Sequence, residues 1–278
     1  MANLNDIING APSIKEARAA LRAEVKELRG QLGFEQKKQK SARICAELLA
    51  RIDGTLACVH GGAGAAPGGS AHGGAVADAN GASGAAANAA APAAFKLGVY
   101  SAFADEVDLD PLIQGAYERG LTVCFPCMMH DAHGLAGACE QTMEFRAISQ
   151  GDYAASKEAL GSKGSTRKTA IEQGESGVPF LLHPLRRYHH DSPELACMPY
   201  VAADELDMLV CPCVAFDAQG NRLGYGAGNY DRYLSQLLVP GTLEFKPKVQ
   251  LVGVAFAEQQ VPSIPVEEHD IPLPFVWA

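Results

Sequence analysis

The chain has 278 residues, of which 47% are apolar and 20% charged, and its formal net charge at pH 7 is −9. That acidic balance argues against nucleic acid or an anionic membrane as a main partner, because both require a surplus of Lys and Arg. No apolar run approaches the ~20 residues of a membrane span, and the N-terminus lacks a signal-peptide core, so a cytoplasmic protein is expected.

Residues 13–32 predict the clearest helix. Ile14, Ala17, Leu21, Val25, Leu28 and Leu32 recur at three- and four-residue steps and form one apolar stripe. Lys15, Arg18, Arg22, Lys26 and Arg29 make a second, basic stripe, turned by about 100° and therefore flanking the first. Two readings stand for it: a solvated face balanced by Glu16, Glu24 and Glu27, or a row whose first turns reach phosphates. A second helix is expected at about 35–51.

Residues 59–94 are nearly all Ala and Gly. They offer little apolar area against the entropy of ordering them, so they read as an insertion within a single domain spanning 1–278. A weaker Gly-, Ser- and charge-rich segment lies at 161–177. Roughly two hundred residues are left, enough for one well-buried domain.

A strand–helix–strand unit follows at 95–103, 110–119 and 121–128, with Pro111 in the helix's first turn and Gly120 past its end. Further strands are expected at 142–148, 178–182, 208–216, 249–256 and the C-terminus, and a helix at 230–238. Strands alternating with helices predict an α/β protein with a mainly parallel sheet covered on both faces, in three αβα layers.

Several patterns compete to be the chemical site. Cys124, Cys127, His130 and His133 could ligate zinc, but cysteines three apart on a strand point to opposite faces. Cys211-Pro-Cys213 could be a redox pair, yet no activating base adjoins it and core packing is favoured. The eight cysteines lie mostly in strand-like or helical runs, as reduced buried thiols do.

Residues 211–231 carry the strongest signal. A buried strand leads into the turn Asp217-Ala-Gln-Gly220, then Arg222, then glycines at 224, 226 and 228, then Asn229-Tyr230-Asp231 at a helix start. Alternating glycines can turn several backbone N–H groups toward one point. Arg222 can clamp an anion there and Asp231 can hold a cation beside it. This predicts a nucleotide-phosphate site, though neither a Walker loop nor a dinucleotide fingerprint is present.

With those residues in hand, the chain resembles the 5-formyltetrahydrofolate cyclo-ligase (5,10-methenyltetrahydrofolate synthetase) family. The resemblance is carried by Asp207-Met-Leu-Val-Cys-Pro212, Phe216-Asp217, Gly220-Asn-Arg-Leu-Gly224 and Gly226-Ala-Gly228-Asn-Tyr-Asp231. A C-terminal block adds Val252-Gly-Val-Ala-Phe256, Gln259, Ile264-Pro265 and His269-Asp270. Arg18-Ala-Ala-Leu-Arg22 and Asp105-Glu106 match the basic N-terminal motif and the substrate glutamate. Asn229 stands where the family usually has a tyrosine, and His183-Pro184 where it has Glu-Pro or Gln-Pro.

The resemblance implies a Rossmann-like (NagB/RpiA/CoA transferase-like) fold and an ATP- and Mg²⁺-dependent ring closure of 5-formyltetrahydrofolate. It implies catalytic roles for Arg222, Tyr230 and Glu106. ATP would contact Lys15, Arg18, Arg22, Arg222, Leu223, Gly224, Tyr225, Gly226, Ala227, Gly228, Asn229 and Tyr230. The folate, in polyglutamated form, would contact Glu106, Phe180, Tyr225, Gly226 and Asn229, and Asp231 with Asp270 would hold Mg²⁺. A monomer is expected. Two alternatives stand beside it: a binding homologue that has lost ring closure, and a kinase-like enzyme acting on another small substrate.

Overall fold

A computed structural model describes residues 10–61, 94–130, 142–161, 177–240, 242, 244–246 and 248–278. Its first helix, α1 (Ile14–Gly30), begins where the Ser13 hydroxyl accepts the Glu16 N–H at 3.3 Å, which satisfies one free donor of the first turn. The buried positions along it are Ala17, Leu21, Val25 and Arg29. Each four-residue step advances the contact line by about 40°. The line therefore leaves the apolar stripe and reaches the basic one at Arg29, while Leu28 is only half-buried.

Helix α2 (Phe34–Gly61) runs ten residues past its expected end at 51. The apolar period continues through it: Ile44, Cys45, Leu48 and Ile52 are buried, and Leu56 packs partly behind them. The helix thus enters the Ala/Gly-rich stretch, whose residues 62–93 lie outside the described residues, as do 162–176 of the second weak segment.

Strand β1 (Lys96–Gly98) is shorter than the expected 95–103. Val99 N–H still donates to the Cys124 carbonyl, and a turn follows farther on, where Glu106 N–H donates to the Phe103 carbonyl and the Glu106 carboxylate accepts the Phe103 N–H. Helix α3 (Asp110–Glu118), with proline in its first turn, strand β2 (Thr122–Met129) and strand β3 (Thr142–Ile148) fall where expected. Helix α4 (Gln150–Gly161) carries no expectation from the sequence.

The strand expected at 178–182 is instead a helical turn, α5 (Pro179–Leu182). Pro179 has no N–H for a strand ladder and its fixed φ suits a helix start. Strands β4 (Arg187–Tyr188), β5 (Tyr200–Val201) and β6 (Met208–Pro212) follow. The apolar run 208–216 breaks after Pro212, because the Gln259 side-chain amide takes the Cys213 and Val214 carbonyls. Its remainder is β7 (Ala215–Phe216), paired with β8 (Arg222–Leu223) as a separate hairpin. Helix α6 (Asn229–Ser235), strand β9 (Gln250–Val254) and strand β10 (Val276–Trp277) complete the order.

The main sheet runs β10-β9-β6-β1-β2-β3-β5, with β4 beside β2. Pairs β10/β9, β9/β6, β6/β1, β1/β2 and β2/β4 are parallel, while β2/β3 and β3/β5 are antiparallel. Alternate residues serve two cores, as a sheet covered on both faces requires. Val123, Val210 and Val252 join the core under α2 and α3, while Cys124, Leu209, Cys211 and Leu251 join the core under α6. This is the predicted α/β layering around a mainly parallel sheet. Among the described residues, no helix is long and apolar enough to cross a membrane.

Candidate active site

Helix α1 lies over the β7–β8 hairpin rather than the main sheet. Its Leu21 and Val25 pack with Ala215, Leu223, Val261 and Ile264 in a small core of their own. The hairpin turn is built by Asp217, whose buried carboxylate accepts the Gln219, Asn221 and Ile264 N–H groups. Gly220 closes that turn at φ 82°, and a Cβ there would stand 2.1 Å from the Leu273 carbonyl oxygen. The hairpin therefore tolerates only glycine there, and it aims Arg222 along a fixed direction.

Between α1 and the glycine loop lies a cavity of about 370 Å³, within the size range of small-molecule sites. One side is charged. Arg222 donates to Asp231 at 2.7 Å and lies 5.4 Å above the Tyr230 ring. Arg18 is ion-paired with Asp270 and, at 2.7 Å, with Glu267. Arg22 donates from Nε to the Gly224 carbonyl at 2.7 Å. Gly226, at φ 101°, lets the loop pass within van der Waals contact of the Arg22 guanidinium. Burial and the charge of Arg18 lower the proton affinity of Arg22, but a guanidinium stays charged at any working pH.

The other side is apolar, with Phe103, Leu185, Pro212 and Tyr225 on the wall. Tyr225 is 44% exposed, packs edge-on against Phe103 at 5.7 Å, and donates its hydroxyl to Glu106 at 2.8 Å. Glu106 itself is buried. Burial raises its pKa above the usual carboxylate value, against the Phe103 N–H, Tyr225 and the charge of Arg29, which lower it.

Of the residues expected at the site, Arg18, Arg22, the 222–230 segment, Asp231 and Asp270 all line this cavity. Lys15 is exposed on α1 and does not line it. Glu106 reaches the cavity only through Tyr225. Phe180 is 1% exposed and packs against Tyr188, inside the core under α2 and α3, so it forms no cavity wall. Asn229 is turned toward Arg232, accepting from it at 2.8 Å, and toward the Met128 sulfur.

The sequence reading misses Phe103, Leu185, Pro212 and Glu267 as lining residues. Leu185 is 76% exposed, and no periodicity marks an apolar residue on a turn. Phe103 falls in the expected 95–103 strand but lies outside any strand in the structure.

The rival zinc motif dissolves on β2. Cys124 and Cys127 are buried in different cores on opposite faces of the sheet, and burial pushes both thiols up to about 12. His133 lies outside the described residues. Cys211 and Cys213 share one core, and burial likewise pushes each to about 12.

A divalent ion would find only partial ligation here. Arg222 occupies Oδ1 of Asp231, while Arg18 and the Glu267 N–H occupy Oδ2 of Asp270. The second oxygen of each carboxylate has no hydrogen-bond partner among the described residues. Among those residues, no three His, Cys, Asp or Glu side chains gather to hold a metal alone. That donor set suits Mg²⁺, which typically takes one or two carboxylates and completes its shell with phosphate and water.

The profile of the 5-formyltetrahydrofolate cyclo-ligase family matches residues 76–277. The 5-formyltetrahydrofolate cyclo-ligase of Escherichia coli K12 is 41% identical over 92 residues, covering 33% of this chain and 47% of that one. That of Mus musculus is 46% identical over 66 residues, covering 24% and 30%. The chain spans about half the length of the curated relatives it matches. The NMR structure of the Aquifex aeolicus 5,10-methenyltetrahydrofolate synthetase shares the fold at TM-score 0.51 and 19% identity, covering 93% of this chain and 88% of that one.

Proposed function

The chain belongs to the 5-formyltetrahydrofolate cyclo-ligase family, and from that premise we propose that it closes 5-formyltetrahydrofolate to 5,10-methenyltetrahydrofolate with ATP. A formyl amide is a poor electrophile. Transfer of the terminal phosphoryl group of ATP to the formyl oxygen makes that oxygen a leaving group; N10 attacks the formyl carbon, and the carbon–oxygen bond breaks to release phosphate. ADP is the other product. Such chemistry asks the protein mainly for positioning and charge neutralisation.

The observation that carries the reading is the convergence of Arg18, Arg22 and Arg222 on one cavity with Asp231 and Asp270, from three distant parts of the chain. The three guanidiniums bind the phosphates and spread the charge of the transferred group. Arg222 is held by Asp231 and by the Tyr230 ring, so it needs little reorganisation when phosphate arrives. Asp231 and Asp270 would hold Mg²⁺ through their spare oxygens. Bound there, the ion would supply charge neutralisation between phosphate oxygens. On the apolar side, Phe103, Leu185 and the Tyr225 ring receive the folate ring system, and Glu106 fixes its polar edge through Tyr225.

We propose the same protein to be a cytoplasmic monomer working on free, polyglutamated folate, without nucleic acid or membrane. The net charge of −9 supports this, as do free buried thiols at Cys45, Cys124, Cys127, Cys211 and Cys213. The test is the appearance of methenyl-folate absorbance with purified protein, ATP, Mg²⁺ and 5-formyltetrahydrofolate. Absorbance that rises only with both substrates and Mg²⁺ present supports ring closure. Binding of both substrates with no product would identify a silent homologue, and folate-independent ATP consumption a kinase-like enzyme.

A further inference from the structure

Arg29 is a guanidinium 1% exposed to solvent, on the helix that supplies Arg18 and Arg22. Stability does not explain it. A buried ion pair is often replaced by apolar residues at no loss, and Ala17, Leu21 and Val25 on the same line are apolar. Its Nη2 pairs with Asp105, and its Nε and Nη1 have no hydrogen-bond partner among the described residues.

The same Nη2 lies 3.4 Å from the Tyr225 hydroxyl. A guanidinium has only donors, so the hydroxyl must accept from it and keep its single proton for another partner. That partner is Glu106 Oε1 at 2.8 Å. Glu106 Oε2 is already taken by the Phe103 N–H at 2.8 Å. The Tyr225 ring above is fixed by Phe103 edge-on and by Lys26, whose ammonium lies 4.8 Å from the ring centre.

Resting on the reading of Tyr225 and Glu106 as substrate-facing groups, we propose that Arg29 is a positioning residue for ring closure: a buried cation behind the pocket wall that orients the Tyr225 hydroxyl and, through it, the Glu106 carboxylate. Arg29 touches no substrate in this arrangement.

The charged and titratable groups that act most strongly on Glu106 lie around Arg29 and Tyr225. Burial raises its pKa most and Asp105 adds to this, while the Phe103 N–H, Tyr225 and Arg29 lower it. Tyr100, Tyr230 and Cys213 also face it, but burial pushes each of their own pKa values upward, so they stay neutral near pH 7. Arg29 is thus the cation opposing both burial and Asp105. Removing it moves the Glu106 titration upward.

The experiment uses Arg29→Met, Arg29→Lys, Tyr225→Phe and the double variant Arg29→Met/Tyr225→Phe. Arg29→Met lowers kcat/KM for 5-formyltetrahydrofolate by about 10- to 100-fold, with the KM for ATP within about twofold of wild type. Its acid limb moves up by about one pH unit. Arg29→Lys returns the limb toward its original position but leaves the rate low, because an ammonium lacks the planar fork. At its pH optimum the double variant is no slower than Tyr225→Phe alone, as expected for groups that orient Glu106 in one chain.

A second readout needs no turnover. The ¹³C-labelled carboxyl of Glu106, assigned with Glu106→Gln, titrates at higher pH in Arg29→Met than in wild type. An unmoved acid limb with an unmoved Glu106 titration overturns the proposal. If wild type forms no methenyl product, the cyclo-ligase reading fails, and the carboxyl titration still decides the role of Arg29. If Arg29→Met does not fold, Arg29→Lys at an unchanged rate overturns the proposal, and a loss of rate with a retained acid limb supports it.

Discussion

The arginine cradle and the thiol-bearing middle of the sheet adjoin each other, and both are built from reactive residue types. Cys211 and Cys213 feel the charge of Arg222, which lowers their pKa values, yet burial dominates and each thiol is pushed up to about 12. Thiolate chemistry is closed to them at neutral pH. Arg222 is nearly as buried, but a guanidinium is charged at any working pH, and its carboxylate partner at 2.7 Å fixes where that charge sits beside the cavity. Burial silences a thiol, whereas a guanidinium keeps its charge and a partner only aims it.

The largest expected effects lie on the cradle side. Arg222→Gln should lower the rate of methenyl-folate formation by about 10²- to 10³-fold while circular dichroism stays native. Asp231→Asn should lower it by about 100-fold and raise the Mg²⁺ concentration needed for half-maximal rate. Unchanged turnover in that variant would remove Asp231 from the mechanism. Asp270→Asn should act in the same direction by about 10- to 100-fold, and a double variant read by Mg²⁺ titration shows whether the two carboxylates serve one ion.

Core substitutions should instead change stability and spare turnover. Phe180→Leu should destabilise by about 1 to 2 kcal/mol in urea unfolding and leave the folate KM within about twofold, because the ring is a core residue. A large KM change would return Phe180 to the pocket wall.

At neutral pH the smallest effect is that of the thiols, whose titration changes stability only at alkaline pH. Cys45, Cys124, Cys127, Cys211 and Cys213 have folded pKa values near 12, raised by burial above the ordinary value of 9.0. The folded state therefore holds its thiol protons more tightly than the unfolded chain. Their contribution to stability is complete below pH 9 and is lost as pH rises toward 12. Urea midpoints measured from pH 8 to pH 11 should fall accordingly. Alkylation at pH 8 should mark exposed Cys58 and Cys197 before any of these five.

Much of this was legible in the residues. The 142–148 strand, the helix with Pro111 and Gly120 at its ends, and the glycines at 226 and 228 with positive φ all follow from local rules of periodicity, capping and steric freedom. The errors have equally local causes. The 208–216 run reads as a single strand, but Gln259, remote in sequence, captures the backbone carbonyls after Pro212 and breaks the run; in the 95–103 run the far end is instead held in a turn by Glu106. Proline at the start of 179–182 was a signal present in the sequence and overridden by the apolar run beside it.

The sequence by itself determined which segments could be helix, strand or glycine loop, because those choices depend on neighbours within a turn or a pleat. It also determined that arginines and aspartates would flank the loop. Which of them meet was decided only by the tertiary structure. The line along which α1 rests on the hairpin leaves Lys15 in solvent, brings Arg18 and Arg22 to the cavity and buries Arg29 behind Tyr225. Helical rotation of the contact line sets that division, and its phase depends on packing against β7, β8 and the 261–264 segment, far away in the chain.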